Sequence, residues 1–365
     1  MIRMSTVVLA RKYRPRSFEQ MVGQEHVVRA LTHALEQNRL HHAYLFTGTR
    51  GIGKTTVSRI LAKSLNCTGA DGQGGITAHP CGVCSACTEI DADRYIDYIE
   101  LDAASNRSID EIRDLIERAA YKPSVGRFKV FMIDEAHQLT KDAFNALLKT
   151  LEEPPDYLKF VLATTDPEKM LPTVLSRCLQ FNLRPMAPET VFEHLQAVLK
   201  TEGVASEDGA LRLLAKAARG SMRDALSLTD QGIAFGAGSL SEAAVRQMLG
   251  AVDDSYIFDL LGALTRGDGQ RVVQIADDLR VAGLSAANTL EDMASVLQKM
   301  AVYQTLDSAN WGNLSEDEQK IATLALTLPA DETQLLYSLC IHGRAELGLA
   351  PDEYAGLVMS LLRLL

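Results

Sequence analysis

One stretch of the sequence has the residue types and the spacing of a phosphate-binding loop. Gly48 to Thr55 reads GTRGIGKT and fits the pattern G-x-x-x-x-G-K-[ST], with an apolar run before it and a helical pattern after it. Glycines let backbone N–H groups curl around phosphate oxygens, and the N-terminus of the next helix adds a positive dipole end. Lys54 is expected to reach the β and γ phosphates, and the Thr55 hydroxyl to ligate Mg²⁺. The stretch predicts binding of a nucleoside triphosphate.

Two acids follow a second apolar run. The run Lys129–Ile133 leads directly into Asp134 and Glu135. In phosphate-loop ATPases an acid at such a strand end holds the magnesium, and a neighbouring group orients or activates the attacking water. We therefore assign Asp134 to Mg²⁺ and Glu135 to the water. The string DEAH that begins at Asp134 also matches a helicase motif, which is weak evidence by itself.

Three further polar residues are candidates for sensing or completing the site. Thr165 follows the apolar run Phe160–Thr164, where a hydroxyl could lie between the acids and the γ-phosphate. Arg177, expected on a short helix, could reach the γ-phosphate of a neighbouring subunit, and Arg223, at the start of a later helix, could contact the nucleotide. Each has an ordinary alternative: a threonine that ends a strand, a solvated arginine, and an arginine paired with an acid.

Four of the six cysteines are clustered with the spacing C-x13-C-x2-C-x2-C, at Cys67, Cys81, Cys84 and Cys87. Four thiolates complete a tetrahedral Zn²⁺ site and leave no open position, which predicts a structural role. The short spacings also resemble an iron–sulfur run, and a cluster without metal is a third interpretation. Zinc is the interpretation that we favour.

The charge is distributed unevenly. The first 66 residues carry eleven Lys or Arg against three Asp or Glu, a net charge of +8, whereas the whole chain carries −10. A basic opening segment is compatible with binding a polyanion, either nucleotide or DNA, or with an ordinary basic surface. The acidic total argues against a uniformly basic nucleic-acid binder. No apolar run approaches the roughly 20 residues of a membrane span, and the first apolar stretch is too short for a signal peptide, so we expect a cytoplasmic protein.

Apolar runs and helical patterns alternate in the first half of the chain. The runs predict five strands: Ala43–Thr47, Tyr98–Leu101, Lys129–Ile133, Phe160–Thr164 and Leu179–Leu183. Strands that alternate with helices indicate a parallel sheet covered on both faces. After Pro185 only amphipathic helical patterns remain, with glycine breaks, and they continue into the last residues, MSLLRLL, as in a piece of a longer chain.

Taken together, these motifs resemble the AAA+ clamp-loader ATPases, and more narrowly the tau/gamma family of bacterial DNA polymerase III. They cover residues 10–231 and read, in chain order, ARKYRPRSFEQMVGQE, GTRGIGKT, the four cysteines, DEAH, ATTDPEK, LSRC and GSMRDALSLTDQ. The glycine-rich spacer between Cys67 and Cys81 is longer than in the family, which is expected to alter a surface loop and leave the site intact.

The resemblance implies three domains. Residues 1–184 are expected to form an α/β P-loop AAA+ domain, a five-stranded parallel sheet with helices on both faces, with a zinc module at about 67–87. Residues 185–250 are expected to form a small helical lid domain. Residues 251–365 are expected to form an all-helical collar domain, through which loader subunits assemble into a ring.

The resemblance also implies roles for individual residues. An adenine pocket is expected at Tyr13, Arg14, Pro15, Val22 and Gly23. Phosphate contacts are expected along Gly48, Thr49, Arg50, Gly51, Ile52, Gly53, Lys54, Thr55 and Thr56. Asp134 resembles the magnesium ligand, Glu135 the hydrolytic base, Thr165 the first sensor, Arg223 the second sensor, and Arg177 the arginine finger offered in trans.

The implied function is that of a clamp-loader ATPase, which uses ATP binding and hydrolysis to open the β sliding clamp and load it onto primed DNA during replication. The expected cofactors are ATP, Mg²⁺ and Zn²⁺. The expected partners are the delta and delta-prime subunits, further tau/gamma copies, the β clamp and primer–template DNA, with no membrane. The family is classified with DNA-directed DNA polymerase, a transferase, but the sequence gives no sign of paired metal-binding carboxylates in a polymerase site.

Two other functions stay open at this point. An AAA+ helicase or branch-migration motor shares the loop and the acids, but it needs a DNA-engaging module such as a winged helix, for which the last third gives no signal. A non-catalytic assembly subunit keeps the fold without hydrolysis. The intact set Lys54, Thr55, Asp134 and Glu135 argues against that second alternative.

Overall fold

The protein is described here by a computed structural model of residues 8–105, 109–306 and 316–365. Backbone contacts divide the chain into a first unit, residues 1–242, and a second unit, residues 243–365. Each unit has its own apolar core. Among the described helices, none combines the length and the apolar character that a membrane span requires.

The first unit contains the five-stranded parallel sheet that the sequence predicts. Its strands are β1 (Ala43–Thr47), β2 (Tyr98–Asp102), β3 (Lys129–Asp134), β4 (Leu158–Thr164) and β5 (Leu179–Asn182). They lie in the order β2-β3-β4-β1-β5, and every neighbouring pair is parallel. Thr47 at the end of β1 therefore pairs with Thr164 at the end of β4, and the carboxyl ends of the strands share one edge of the sheet.

Alternate strand residues supply the cores on the two faces of this sheet. Tyr44 and Phe46 of β1 belong to one buried cluster, whereas Leu45 belongs to the other together with Phe131 and Phe160. Strands that are buried on both sides need apolar residues at successive positions, which explains the unbroken apolar runs in the sequence.

Helices cover both faces and continue past the sheet. The first unit contains α1 (Leu9–Lys12), α2 (Glu25–Glu36), α3 (Lys54–Asn66), α4 (Ser85–Asp91), α5 (Ile109–Ala119), α6 (Lys141–Glu152), α7 (Pro172–Leu175), α8 (Pro188–Glu202), α9 (Asp208–Ala217) and α10 (Met222–Phe235). In α2 the buried residues Val27, Leu31 and Leu35 recur every four positions, so one stripe of the helix faces the core. Helices α8 to α10 confirm the amphipathic helical patterns that the sequence shows after Pro185.

The second unit is helical throughout its described residues. Its helices are α11 (Glu242–Leu249, which begins at the boundary), α12 (Asp254–Thr265), α13 (Gly269–Val281), α14 (Ala286–Thr305), α15 (Glu316–Ala325), α16 (Ala330–Glu346) and α17 (Glu353–Leu362). Leu290, Met293 and Leu297 of α14 are fully buried and pack in the same cluster as Cys340 of α16. Apolar spacing of three and four residues accounts for this packing.

A buried carboxylate fixes the approach to β3. Asp97 is fully buried, and its two carboxylate oxygens accept hydrogen bonds from the backbone N–H groups of Ser124, Val125 and Gly126 at 2.8, 2.8 and 2.7 Å. Its carbonyl oxygen also accepts from the N–H of Val130, in β3, at 2.8 Å. One acid therefore holds the loop that leads into the strand ending at Asp134.

The variant Asp97→Asn tests this role. The side-chain NH₂ of the introduced asparagine would face backbone N–H donors, so at least one donor loses its acceptor, and we expect the free energy of unfolding to fall by about 2 kcal/mol or more. Thermal unfolding followed by circular dichroism measures the effect, with Glu36→Gln, an exposed acid on α2, as the matched control. Equal melting temperatures for the two variants would refute the assignment.

Candidate functional site

The predicted phosphate loop lies between β1 and the N-terminus of α3. Gly51 has φ of +78°, a left-handed conformation that glycine adopts without strain. Lys54 is 6% exposed, and its Nζ donates to the carbonyl oxygens of Gly48 and Thr49 at 2.8 and 2.9 Å. Burial lowers the pKa of this lysine, while the carboxylates of Glu135 and Asp134 oppose the shift. The ammonium is therefore held at the mouth of the loop, between its carbonyl groups and the two acids.

The acid at the end of β3 meets the hydroxyl at the start of α3. Thr55 Oγ1 donates to Asp134 Oδ2 at 2.8 Å. A threonine hydroxyl and a carboxylate at this position are the protein ligands that a phosphate-loop enzyme offers to Mg²⁺, directly or through water. The two residues are 79 positions apart in sequence, and the parallel sheet brings them together.

Glu135 is held by Thr165, which directly follows the neighbouring strand β4. Its backbone is left-handed, with φ of +47°, and its Oε2 accepts from both the N–H and the hydroxyl of Thr165, at 3.2 and 2.8 Å. A non-glycine residue with this backbone conformation is uncommon and is often found at functional sites. The predicted base and the predicted first sensor are thus in direct contact.

His137 adds a link that the sequence analysis missed. One ring nitrogen lies 2.9 Å from Thr164 Oγ1 and 3.4 Å from Glu135 Oε2. The DEAH string contains this histidine, but the string alone does not say that its ring turns back to the end of β4. The carboxylate of Glu135 is therefore surrounded by polar groups from β4 and from its own loop.

A cavity of about 770 Å³ opens beside these groups. The predicted residues among its lining are Tyr13, Arg14, Pro15, Val22, Arg50, Gly51, Ile52, Gly53, Lys54, Thr55, Thr56, Asp134, Glu135 and Arg223. Lining residues that the sequence analysis did not predict include Met21, Asp93, Asp102, Met186, His194, Met222 and Leu226. The volume is within the range of small-molecule sites, and the mixture of apolar and charged walls fits a base and its phosphates.

Five of the residues predicted for the nucleotide site do not line the cavity: Gly23, Gly48, Thr49, Thr165 and Arg177. Gly48 and Thr49 contribute their carbonyl groups to Lys54, and Thr165 contacts Glu135. Gly23 lies behind the wall, because a Cβ at this position would come within 2.9 Å of Cγ of Met186, a lining residue.

The N-terminal wall of the cavity is attached to α8. The Tyr13 hydroxyl donates to the Glu202 carboxylate, and Lys12 Nζ lies 2.6 Å from the same oxygen. Burial, together with the hydrogen bond and charge of Glu202, raises the pKa of Tyr13 to about 12. The contacts with Glu202 thus hold the N-terminal wall of the cavity against α8.

Helix α10 also lines the cavity, and its first turn contacts the phosphate loop. Ser221 caps this helix by accepting from the Asp224 N–H at 3.2 Å, and the Arg223 N–H donates to the Gly51 carbonyl at 3.3 Å. A Cβ on Gly51 would lie 2.0 Å from Ser221 Oγ. The absence of a side chain at Gly51 thus allows α10 to touch the loop and brings Arg223 to the cavity.

Arg177 differs from its predicted setting. The sequence analysis expects it on a short helix, but α7 ends at Leu175 and Arg177 lies in the following turn. Its guanidinium donates to the Thr173 carbonyl and to Glu152 Oε1, both at 2.6 Å. The helix ends two residues before Arg177, and the chain is extended from Leu179, the first residue of β5. The predicted finger is therefore paired within its own chain, away from the cavity of that chain.

The four clustered cysteines converge after α3. Their Sγ atoms all lie within 4.8 Å of one another, and those of Cys67 and Cys84 are 4.0 Å apart. An ion with Zn–S bonds of about 2.3 Å sets neighbouring sulfur atoms about 3.8 Å apart, so the donor set fits a tetrahedral thiolate site. Burial raises the pKa of Cys84, but hydrogen bonds from Thr68 and Cys87 outweigh it and lower the value to about 6.

Three family models match consecutive parts of the chain. Residues 23–187 match "DNA polymerase III, delta subunit", residues 190–238 match "DNA polymerase III clamp loader subunit, ATPase lid domain", and residues 240–365 match "DNA polymerase III subunits gamma and tau domain III".

Curated relatives match almost the whole chain. The DNA polymerase III subunit tau of Escherichia coli K12 is 48% identical over 362 residues, which cover 99% of this chain and 56% of that protein. The subunit tau/gamma of Haemophilus influenzae is 46% identical, with 99% and 51% covered. The subunit gamma of Buchnera aphidicola from Acyrthosiphon pisum is 39% identical, with 99% of each covered. The chain thus spans about half the length of the tau relatives.

Among solved structures, the Thermotoga maritima RuvB Holliday junction branch migration motor is 21% identical and has a TM-score of 0.49. The alignment covers 69% of this chain and 79% of that protein. Similarity at this level does not decide between functions.

The contact between Gly51 and Ser221 yields a direct test. In Gly51→Ala the added methyl meets Ser221 Oγ and the left-handed backbone becomes strained, so the Kd for a fluorescent ATP analogue is expected to rise at least about tenfold. Gly72→Ala is the matched control, because Gly72 has φ of +77° with nothing within 4 Å of an added Cβ. Adding Ser221→Gly to Gly51→Ala is expected to restore part of the affinity. An unchanged Kd in Gly51→Ala would contradict the contact.

Proposed function

Because the chain belongs to the tau/gamma family of DNA polymerase III subunits, we propose that it is an ATP-hydrolysing subunit of the clamp loader. In this proposal ATP binding and hydrolysis drive the opening of the β sliding clamp and its loading onto primed DNA. The observation that carries the proposal is the convergence of Lys54, Thr55, Asp134 and Glu135 at one end of a cavity that Arg223 also lines.

The cavity supports binding of ATP with Mg²⁺. The loop Gly48–Thr56 offers backbone N–H groups and the Lys54 ammonium to the phosphates, and Thr55 and Asp134 are the residues that would hold the metal. When bound, Mg²⁺ neutralises charge on the phosphate oxygens. Tyr13 to Pro15, with Val22, form the wall that we assign to the adenine.

Hydrolysis requires Glu135 to orient or deprotonate water. In the present arrangement both hydrogen bonds from Thr165 engage one oxygen of this carboxylate, so Thr165 controls where the base points. We propose that Thr165 acts as the first sensor in this way, and that Arg223 acts as the second from α10. A shift of the end of β4 would then change the position of Glu135 relative to the γ-phosphate, and a shift of α10 would change the position of Arg223.

Arg177 is proposed to complete the site of a neighbouring subunit. An arginine finger stabilises the charge of the phosphoryl-transfer transition state, and it can be supplied in trans by a neighbouring protein. The position of Arg177 outside its own cavity, 32% exposed and paired with half-exposed Glu152, is compatible with that role. Release from Glu152 costs little, because exposed ion pairs contribute about 1 kcal/mol or less.

Partners follow from the same proposal. We propose that delta, delta-prime and further tau/gamma copies complete the loader, and that the β clamp and primer–template DNA are its substrates at the replication fork in the bacterial cytoplasm. The basic first 66 residues would supply phosphate contacts, which do not depend on sequence and weaken with salt. Residues 251–365 are proposed to be the collar.

The cysteine cluster is proposed to hold one Zn²⁺ with a structural role. All four donors are thiols, so a bound ion has no open position for substrate. The ion supplies a cross-link between the end of α3 and α4. The tetrahedral fit of the sulfur atoms favours zinc over the alternatives of an iron–sulfur centre or no metal.

Stimulated ATP turnover tests the proposed function. The chain is mixed with the other loader subunits, and phosphate release is measured with and without clamp and primed DNA. We expect strong stimulation by both together, and its loss in Lys54→Ala. Turnover insensitive to clamp and DNA would favour a helicase-type motor. No turnover, with partners verified as active, would favour a non-catalytic assembly subunit.

Arg177→Ala separates the finger from nucleotide binding. Sites completed by Arg177 are expected to lose about a thousandfold in turnover, whereas the chain's own Kd for an ATP analogue stays unchanged because Arg177 does not line the cavity. Arg212→Ala, an exposed arginine on α9 paired with Glu189, is the control and should keep full turnover. A raised Kd in Arg177→Ala would argue for a role within its own site.

Metal analysis by mass spectrometry tests the zinc proposal. We expect one zinc per purified chain, lost in Cys87→Ser because a tetrahedral site cannot lose a thiolate without a large fall in affinity. Cys340→Ser, which changes a cysteine in the core of the second unit, is expected to keep its zinc. Iron and visible absorption in the native chain would overturn the choice of metal.

A further inference from the structure

Helix α3 carries a second buried lysine that the proposed mechanism does not use. Lys63 is 1% exposed, and its Nζ donates to the Arg16 carbonyl at 2.6 Å and to Asp91 Oδ1 at 2.7 Å. A buried ammonium is costly unless it is paired, so these two acceptors are fixed relative to the helix. Lys63 therefore ties together two segments that are far from each other in sequence.

One of those segments begins at the cysteine cluster. Cys84 directly precedes α4 at the N-cap position, Cys87 lies within the helix, and Asp91 is its last residue, one helical turn after Cys87. Residues four apart lie on the same face of a helix. The position of the Asp91 carboxylate is thus set by the same short helix that carries two of the four thiols.

The other segment, residues 13–22, forms part of the wall of the nucleotide cavity and is called the wall segment below. Arg16 directly follows Tyr13, Arg14 and Pro15, which line the cavity, and its N–H donates to Gln20 Oε1, a side chain of another lining residue, at 2.8 Å. The Lys63 ammonium holds this segment through a backbone carbonyl. The hydrogen bond therefore fixes the backbone at residue 16, and it does not require an arginine side chain at that position.

Packing reinforces the same connection. Phe18 and Met21 of the wall segment lie in one buried cluster with Ala86 and Ile90 of α4. Beyond α4, Asp93 lines the cavity and pairs with Arg59 of α3 at 2.6 Å. Direct contacts therefore connect the cysteine cluster to the cavity wall through α4 and Lys63.

We propose that the four-cysteine module and the nucleotide cavity are energetically coupled through the Asp91–Lys63–Arg16 link, so that metal in the module and nucleotide in the cavity strengthen each other's binding. Lys63 and Asp91 are positioning residues in this proposal, which rests on the proposed ATP and zinc sites. The module is then a support for the adenine wall as well as a local cross-link.

Coupling of this kind is reciprocal. If bound metal fixes α4, and α4 fixes the wall through Lys63, then the factor by which zinc raises nucleotide affinity equals the factor by which nucleotide raises zinc affinity. Typical coupling factors between linked sites are about 5 to 150. A purely structural zinc, remote from the cavity, gives a factor of one in both directions.

The experiment measures both factors on the 365-residue chain. The Kd for a fluorescent ATP analogue with Mg²⁺ is measured with and without zinc, and zinc retention at equilibrium against a zinc-selective chelator is measured with and without AMP-PNP. We expect both factors to be at least about fivefold and equal within error. Factors of one in the wild-type chain overturn the inference.

Two variants test whether the link carries the coupling. Lys63→Met removes the ammonium and leaves Asp91, whose side chain is 23% exposed, accessible to water; Asp91→Asn keeps the volume and weakens the pair. In both, zinc and nucleotide are expected to bind while the coupling factor falls toward one. An unchanged coupling factor in both variants overturns the role of Lys63.

Glu19→Gln is the matched control. Glu19 pairs with His79, in the spacer between Cys67 and Cys81, so it also joins the wall segment to the module. Both side chains are more than half exposed, and exposed pairs contribute little. We expect the coupling factor of Glu19→Gln to stay within about twofold of wild type. A wild-type chain that binds no ATP analogue refutes the proposed function itself, which is a different outcome from binding without coupling.

Discussion

Two buried lysines on α3 impose the constraint around which the first unit is organised. An ammonium group loses most of its hydration when it is buried, and the loss has to be offset by acceptors at fixed positions. Lys54 finds them in the carbonyl groups of its own loop, and Lys63 finds them in Arg16 and Asp91. Because one helix carries both lysines, the phosphate loop, the cavity wall and the cysteine module are all positioned relative to the same rigid element.

The parallel sheet provides the second half of the site for a related reason. Parallel strands end at a common edge, so residues that follow different strands meet there although they are distant in sequence. Asp134 meets Thr55, and Thr165 meets Glu135, although 79 and 30 residues separate the two pairs in sequence. The loop that leads into β3 is in turn held by Asp97. The positions of Asp134 and Glu135 therefore depend on a buried carboxylate that does not line the cavity.

The sequence predicts the strands and the loop well, because both have local causes. Runs that are buried on two faces must be apolar, and a phosphate loop needs glycine and lysine at fixed spacing, so β1 begins and ends where expected. Strand bounds elsewhere differ by one or two residues, as at Leu158 of β4. The clearest local error is the placement of Arg177 on a short helix, because α7 ends at Leu175 and the chain turns before β5.

Contacts over long sequence distances are the part that could not be predicted. Tyr13 was assigned to the adenine wall, but its anchor, Glu202, lies 189 residues away on α8, and no spacing rule connects them. His137 belongs to the DEAH motif, but the motif does not indicate that its ring contacts Thr164. Such pairs depend on how elements pack, which a single sequence does not specify.

The side of the cavity opposite the sheet is formed by helices that follow it in the chain, and this has a mechanical consequence. The Arg223 N–H bonds to Gly51, and the Leu9 N–H bonds to Asp230 of α10 at 2.7 Å, so α10 contacts both the phosphate loop and the segment that precedes the adenine wall. Burial raises the pKa of Asp230, against the bond from Leu9 that lowers it. Both attachments belong to one helix, so the positions of the phosphate loop and of the N-terminal segment depend on each other through α10.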